Sequence, residues 1–258
     1  MTLSARQTDI LAQARTLGRL SVDGLAEAFD VTPQTIRRDL NELCQRGLLS
    51  RVHGGAEAAN SVANVDYEER RSLAQSEKAR IGAAAAALIP DHCSLLINIG
   101  TTTEQTARAL YDRRGLVVIT NNINVVNILS GSPTKELILA GGVVRQSDGG
   151  IVGEAAVEFI RQFKADWAVI GASALDADGA ILDFDYREVS VARAIVDNAR
   201  NVILVADRQK FERTAPVRIC GLDRIDHVVT DAAPPAAFAA ACARDGATLH
   251  LADAEGAP

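Results

Sequence analysis

Apolar positions along this chain follow two different periods. Over residues 5–17 they recur at helical spacing (Ile10, Leu11, Ala14, Leu17), and Gly18 is placed to stop the helix. Leu20 suits a short strand, and Ser21 caps a second helix that turns Leu25, Ala26 and Phe29 inward. A tight turn through Asp30 and Val31 leads to a third helix, with Thr32 as N-cap, Pro33 as first residue and Gly47 as stop. Val31 staples against Ile36 across that cap. At about 100° per residue, Ile36, Leu40 and Leu43 share one buried face. Residues 48–56 then alternate and end in Gly54-Gly55, which suits a hairpin turn.

Periodicity lapses over 57–66 and returns in a helix at 75–88, ended by Pro90. Beyond it, short apolar runs at 93–98, 116–120, 136–140, 167–171, 202–206, 227–230 and 248–251 read as strands. Helical patterns at 104–111, 124–129, 154–163, 189–199 and 235–243 lie among them. Such alternation predicts an α/β, Rossmann-like domain with a mostly parallel sheet and helices on both faces. Ligands in such sheets sit at the carboxyl ends of the strands. The expected organisation is an N-terminal winged helix-turn-helix over 1–57, a linker over 58–74, an α/β domain over 75–252 and a tail over 253–258.

The polar side of the third helix carries Gln34, Arg38, Asn41 and Gln45, with Arg37 on the flank. These are long planar donors and acceptors of the kind that read base edges in a major groove. Thr32 and Thr35 stand at its start, and Arg51 and His53 near the hairpin turn reach phosphate. An ordinary amphipathic surface helix shares the pattern of this one helix. The compact helix pair before it and the basic hairpin after it favour double-stranded DNA as partner.

Composition sharpens this picture. A chain of 258 residues with 48% hydrophobic content has room for two domains. Residues 1–57 hold seven arginines against seven acids, so the rest of the chain carries the whole net charge of −6. A footprint that weakly basic relies on where its charges sit and on dimerisation, so a homodimer or homotetramer is expected. Four scattered cysteines (Cys44, Cys93, Cys220, Cys242) and four histidines lack metal-ligand spacing. No metal site is therefore expected, the unpatterned cysteines fit a reducing cytoplasm, and a DNA-binding role calls for no cofactor or catalytic group. The longest apolar run, 81–90, is too short to span a bilayer.

Several strand ends suit an anionic ligand. Gly100 frees the backbone before Thr101, Thr102 and Thr103, whose hydroxyls and helix-start N–H groups form an anion site. No Gly-Lys-Ser/Thr follows, so it is not a Walker loop; a threonine-rich helix cap is the bland alternative. Asn121-Asn122, Gly141-Gly142 and 206–210 end other strands, and Lys210 is the candidate cation. In the acidic stretch 171–188, Asp183, Asp185 and Glu188 suit ligand hydroxyls, with a solvated loop as the equal alternative.

The segments Thr35-Ile-Arg-Arg-Asp-Leu40 and Arg51-Val-His-Gly-Gly-Ala56 resemble the winged-helix signature of the DeoR family of bacterial regulators. The resemblance continues through Gly100-Thr-Thr102, Thr120-Asn-Asn122, Leu139-Ala-Gly-Gly142, Gly149-Gly-Ile-Val-Gly-Glu154 and Lys210-Phe211, and so covers nearly the whole chain. Phe184-Asp-Tyr186 and Asp148-Gly-Gly150 narrow it to the branch that responds to glycerol-3-phosphate. The resemblance implies a repressor whose sensor domain is similar to sugar-phosphate isomerases and whose effector is a phosphorylated sugar or polyol. It adds Gly142 and Glu154 to the effector residues. Asn98, Ala192, Gln209 and Glu212 depart from the family pattern. A sugar-phosphate isomerase with an accessory DNA-binding head is the rival reading, with Asp176 and Asp178 as its nearest carboxylates.

Overall fold

The computed structural model describes residues 3–17, 19–45, 48–52, 54–58, 67–132 and 136–252. The chain divides into two compact units, residues 1–65 and 66–258.

The first unit combines helices α1 (Ala5–Leu17), α2 (Val22–Ala28) and α3 (Pro33–Gln45) with strands β1 (Arg19–Ser21), β2 (Leu49–Val52) and β3 (Gly55–Ala58). The strands form an antiparallel sheet in the order β1-β3-β2. Each helix start is set by a side-chain cap. The Ser21 hydroxyl accepts from the Gly24 N–H at 3.0 Å, and the Thr32 hydroxyl from the Thr35 N–H at 3.3 Å. Ile10, Ala14, Leu20, Leu25, Ile36, Leu40, Leu43 and Leu49 make the core, with Leu11, Phe29 and Val31 packed at its margin. The strand expected at Leu20 forms and places Leu20 opposite Ala56. Gly55 is what permits this pairing: a Cβ there would stand 1.9 Å from the Leu20 carbonyl oxygen. Gly18, Gly47, residues 59–66 of the expected linker, the tail and the Leu17 side chain lie outside the described residues.

The second unit opens with α4 (Tyr67–Ser72) and α5 (Gln75–Leu88). Then follow β4 (Ser94–Ile97), α6 (Thr101–Ala109), β5 (Val117–Thr120), α7 (Ile123–Leu129), β6 (Glu136–Leu139), β7 (Val143–Arg145), β8 (Gly150–Val152), α8 (Glu154–Ile160) and β9 (Ala165–Ile170). After them come β10 (Ala174–Leu175), β11 (Ile181–Asp183), α9 (Tyr186–Asp197), β12 (Ala199–Val205), β13 (Val217–Cys220), β14 (His227–Thr230), α10 (Ala236–Asp245) and β15 (Thr248–Leu251). Among the described residues, seven strands form one sheet in the order β15-β14-β12-β9-β4-β5-β6, and all its pairings are parallel.

The strands read as nearly unbroken apolar runs because both faces are covered. Leu96, Ala168, Ile170, Leu204 and Val228 pack with α8, α9 and α10. The alternate residues Leu95, Ile97, Val169, Ile203 and Val229 pack with α5, α6 and α7. From β4 the chain proceeds outward to β5 and β6, then returns to β9 on the other side. The strand order therefore reverses between β4 and β9, and the crevice beyond their carboxyl ends is where this class of sheet holds ligands. Near the opposite end of the sheet, Trp167 stacks on His227 with ring centroids 5.8 Å apart.

Three expectations need correction. Residues 67–72, read as linker, are helical and belong to the α/β unit, because the Tyr67 side chain is buried there. The acidic stretch 171–188 is not one loop: β10 and β11 pair antiparallel and α9 starts at Tyr186. The helix expected from 104 begins at Thr101, which puts all three threonines in its first turn. None of the described helices is long and apolar enough to cross a membrane.

Candidate functional sites

Helix α3 is held from behind so that one face stays free. Asp39, on its inner side, is buried and accepts from Arg6 Nε at 2.6 Å, while Gln7 donates to Glu42 at 3.0 Å. Both ties anchor α3 to α1, beside the apolar contacts of Ile36, Leu40 and Leu43. Gln34, Arg37, Arg38 and Asn41 are exposed, as is Arg51 on β2. Thr32 is exposed and Thr35 half-buried, and their hydroxyls lie 3.0 Å apart within the cap. His53 and the Gln45 side chain lie outside the described residues.

Most of the residues expected to hold an effector lie at the carboxyl ends of β4, β5 and β12 or on the turns that follow them. Gly100 has φ +152°, a backbone conformation that L side chains rarely adopt, and it turns the chain from β4 into α6. Thr101, Thr102 and Thr103 are buried in the first turn. The Thr103 hydroxyl is already spent on the carbonyls of Asn98 and Gly100, both at 2.8 Å. Asn121 and Asn122 are fully buried at the end of β5. Asn122 caps α7 through the Asn124 N–H at 2.9 Å and donates to Glu104 at 3.3 Å, so it serves the fold. Asn121 donates to the Ile151 carbonyl at 3.0 Å.

Lys210 sits in a short 3-10 turn after β12 and is only 8% exposed. Burial drives its pKa down to about 8; Asp207 opposes this, and the neighbouring cations Arg213, Arg70 and Lys78 add to it. Burial likewise lowers Lys78 and Arg213. Lys210, Lys78, Arg213 and Arg70 thus lie within one another's electrostatic reach, with Asp207 as their chief carboxylate and Glu69, Glu77 and Glu212 at the margin. Lys78 donates to the carbonyls of Arg70 and Leu73, the latter at 2.7 Å. Arg70 lies 3.7 Å from Asp148, and its buried Nε has no hydrogen-bond partner.

A second charged group borders this one. Arg145 donates to both oxygens of Asp148, at 2.9 and 2.5 Å, to Asp185 at 3.1 Å and to Glu188 at 2.5 Å. Burial opposes the charge on Arg145, but Asp148 and Glu188 outweigh it and raise its pKa. Burial pushes the Glu188 carboxyl up, helped by the charge of Asp183 and opposed by Arg145. Asp183 accepts from Ser173 at 3.0 Å.

Tyr67 connects α4 to the same region. Its hydroxyl donates to Glu104, with the two carboxylate oxygens at 2.9 and 3.0 Å, and accepts from Asn124 at 3.0 Å.

Two expected residues are exposed: Gly142, and Glu154, which opens α8. Ala192 is fully buried against the sheet, so its side chain bears on packing. Asp176 and Asp178 hold the β10–β11 turn, where the Asp176 carbonyl accepts from Gly179 at 3.0 Å and the Asp178 carboxylate from Ala180 at 2.9 Å. Sequence reading missed Arg70, Lys78, Arg213, Arg145 and Tyr67. The charge run at 68–71 was the visible signal for the first of these.

Comparison with known proteins completes the description. Residues 6–62 match the DeoR-like helix-turn-helix domain, and residues 73–232 match the DeoR C terminal sensor domain. The chain is 44% identical over 235 residues to the glycerol-3-phosphate regulon repressor of Escherichia coli K12, covering 91% of this chain and 93% of the relative. It is 44% identical over 234 residues to the protein of the same name from Haemophilus influenzae, with 91% of each chain covered. Among solved structures, ribose 5-phosphate isomerase A of Methanocaldococcus jannaschii aligns at a TM-score of 0.41 and 13% identity, over 54% of this chain and 55% of that one. The two domain matches and the relatives agree from the reader helix to the crevice: the chain belongs to the DeoR family of transcriptional regulators.

Proposed function

We propose that this chain is a repressor of carbohydrate or polyol catabolism genes, held on operator DNA by α3 and the β2–β3 hairpin and released by a phosphorylated sugar or polyol. The observation that carries the effector half is the grouping of the buried Lys78 and Lys210 with the half-buried Arg70 and Arg213, where burial and the neighbouring cations hold both lysines' pKa values down. Charges of one sign crowd in a buried place when a counter-charge completes the set. A phosphate supplies it. The N–H groups at the start of α6 and the positive end of its dipole suit the same charge. Glycerol-3-phosphate is the effector we favour, because it stands in the names of the two relatives above.

On the DNA side, Gln34, Arg37, Arg38 and Asn41 read bases, while Thr32, Thr35, Arg51 and His53 meet the backbone. The chain acts in the cytoplasm as a homodimer or homotetramer on repeated half-sites, and effector binding shifts the population toward an arrangement that no longer fits them. Operator binding followed by fluorescence anisotropy, with and without glycerol-3-phosphate, tests the reading. Thr102→Asp puts a fixed negative charge where phosphate belongs, and Lys210→Met removes a cation. Both variants are expected to bind operator and to resist release. Release of both at the wild-type effector concentration refutes the site.

A further inference from the structure

Two buried asparagines at the crevice carry oxygens that the protein itself leaves unpaired. Asn98 follows β4 and Asn121 follows β5. Ile97 lies opposite Thr120 in the parallel register, so the two asparagines, one residue further on, stand side by side at the carboxyl edge of the sheet. They are 2% and 0% exposed, and the Oδ1 of each is buried without a hydrogen-bond partner. The bond from Asn121 Nδ2 to the Ile151 carbonyl fixes that amide so that its oxygen is the open atom. Two nearby hydroxyls are committed elsewhere: Thr103 donates to backbone carbonyls, and Thr120 donates to the Ile97 carbonyl at 2.7 Å.

A buried acceptor left unpaired is costly, and two adjacent ones at a ligand crevice mark the place of missing donors. A phosphate dianion brings acceptors only, so the donors must come from another part of the ligand. We infer that Asn98 and Asn121 are the hydroxyl-reading pair of the crevice, each Oδ1 accepting from one hydroxyl of a phosphorylated polyol. This rests on the anion-site reading above and adds a specificity element to it. A neutral amide suits the task, because it accepts from a hydroxyl without placing a negative charge near the phosphate.

The test is calorimetric titration of the full chain with glycerol-3-phosphate, propyl phosphate and inorganic phosphate. Propyl phosphate keeps the anion and lacks both hydroxyls. The wild type is expected to prefer glycerol-3-phosphate over propyl phosphate by about tenfold or more. Asn121→Ala and Asn98→Ala are each expected to remove most of that preference while leaving inorganic phosphate binding unchanged. Unaltered effector-free operator binding and melting show that the variants fold. If Asn98→Ala does not fold, the similarly sized Asn98→Leu also lacks the acceptor and is expected to lose the preference. The inference is overturned if the wild type binds both organic phosphates equally, or if the variants discriminate as the wild type does. Either result leaves the anion site standing. Failure of all three compounds to bind overturns the anion site and this inference together.

Discussion

Replacing Lys210 by methionine is expected to make the effector-free protein more stable. A lysine whose pKa falls from 10.5 to about 8 is held charged at neutral pH against roughly 3 kcal/mol, at about 1.36 kcal/mol per pKa unit. Methionine keeps an unbranched chain of similar reach and brings no charge. The attraction to Asp207 is already within that figure, and imperfect packing of the new side chain offsets part of it, so a net gain of about 1–3 kcal/mol is expected. For a unit of this size that is about 2–4 °C in melting temperature per kcal/mol. The pH dependence has a definite sign. Below about pH 8 the lysine is protonated in both states, and its full cost is present. Between about 8 and 10.5 the unfolded chain holds the extra proton, so the wild type gains stability as pH rises and the gap to the variant closes. Differential scanning calorimetry at pH 7 and pH 10 is the assay, with glycerol-3-phosphate added in a parallel series. The variant is expected to lose the upward shift that the ligand gives the wild type. A variant that melts below the wild type at pH 7, or a gap that widens with pH, refutes the argument.

Other expectations address the remaining parts. Arg38→Ala should cost about 1–3 kcal/mol of operator affinity and relax preference at one base position, read by anisotropy against single-base operator variants. Arg51→Ala should weaken all sequences alike and reduce the slope of log affinity against log salt by about one. Tyr67→Phe leaves the buried Glu104 with fewer donors and should destabilise the α/β unit by about 1–3 kcal/mol in urea unfolding.

What could be read in advance follows a physical division. The reader helix was legible because its cap, its apolar face and its polar face are all local, within residues 31–45. The wing was legible from Gly54-Gly55, and the parallel sheet from apolar runs that are buried on both faces. Helix α4 was not, because its burial depends on a hydroxyl-to-carboxylate bond between Tyr67 and Glu104, 37 positions apart, and apolar spacing gives no sign of it. Arg70, Lys78 and Arg213 were missed for a related reason. Each looks like a solvated charge in sequence, and only the strand order brings them to Lys210. Arg145 occupies a three-residue strand too short to show a period, and its partners Asp185 and Glu188 lie at least 40 positions away.

Trp167, the lone tryptophan of the chain, lies on β9 against His227, and the three tyrosines (Tyr67, Tyr111, Tyr186) also fall within residues 66–258. The DNA-binding unit is therefore optically silent above 275 nm. Tryptophan emission during denaturation reports the α/β unit alone, whereas far-ultraviolet circular dichroism sums the helices of both units. Coincident curves would mean that the two units melt as one. Separated curves would give each unit its own midpoint without a label or a truncated chain. A ligand that moved the emission curve and carried the other transition with it would measure, in one cuvette, how much free energy passes from the sensor to the DNA-reading head.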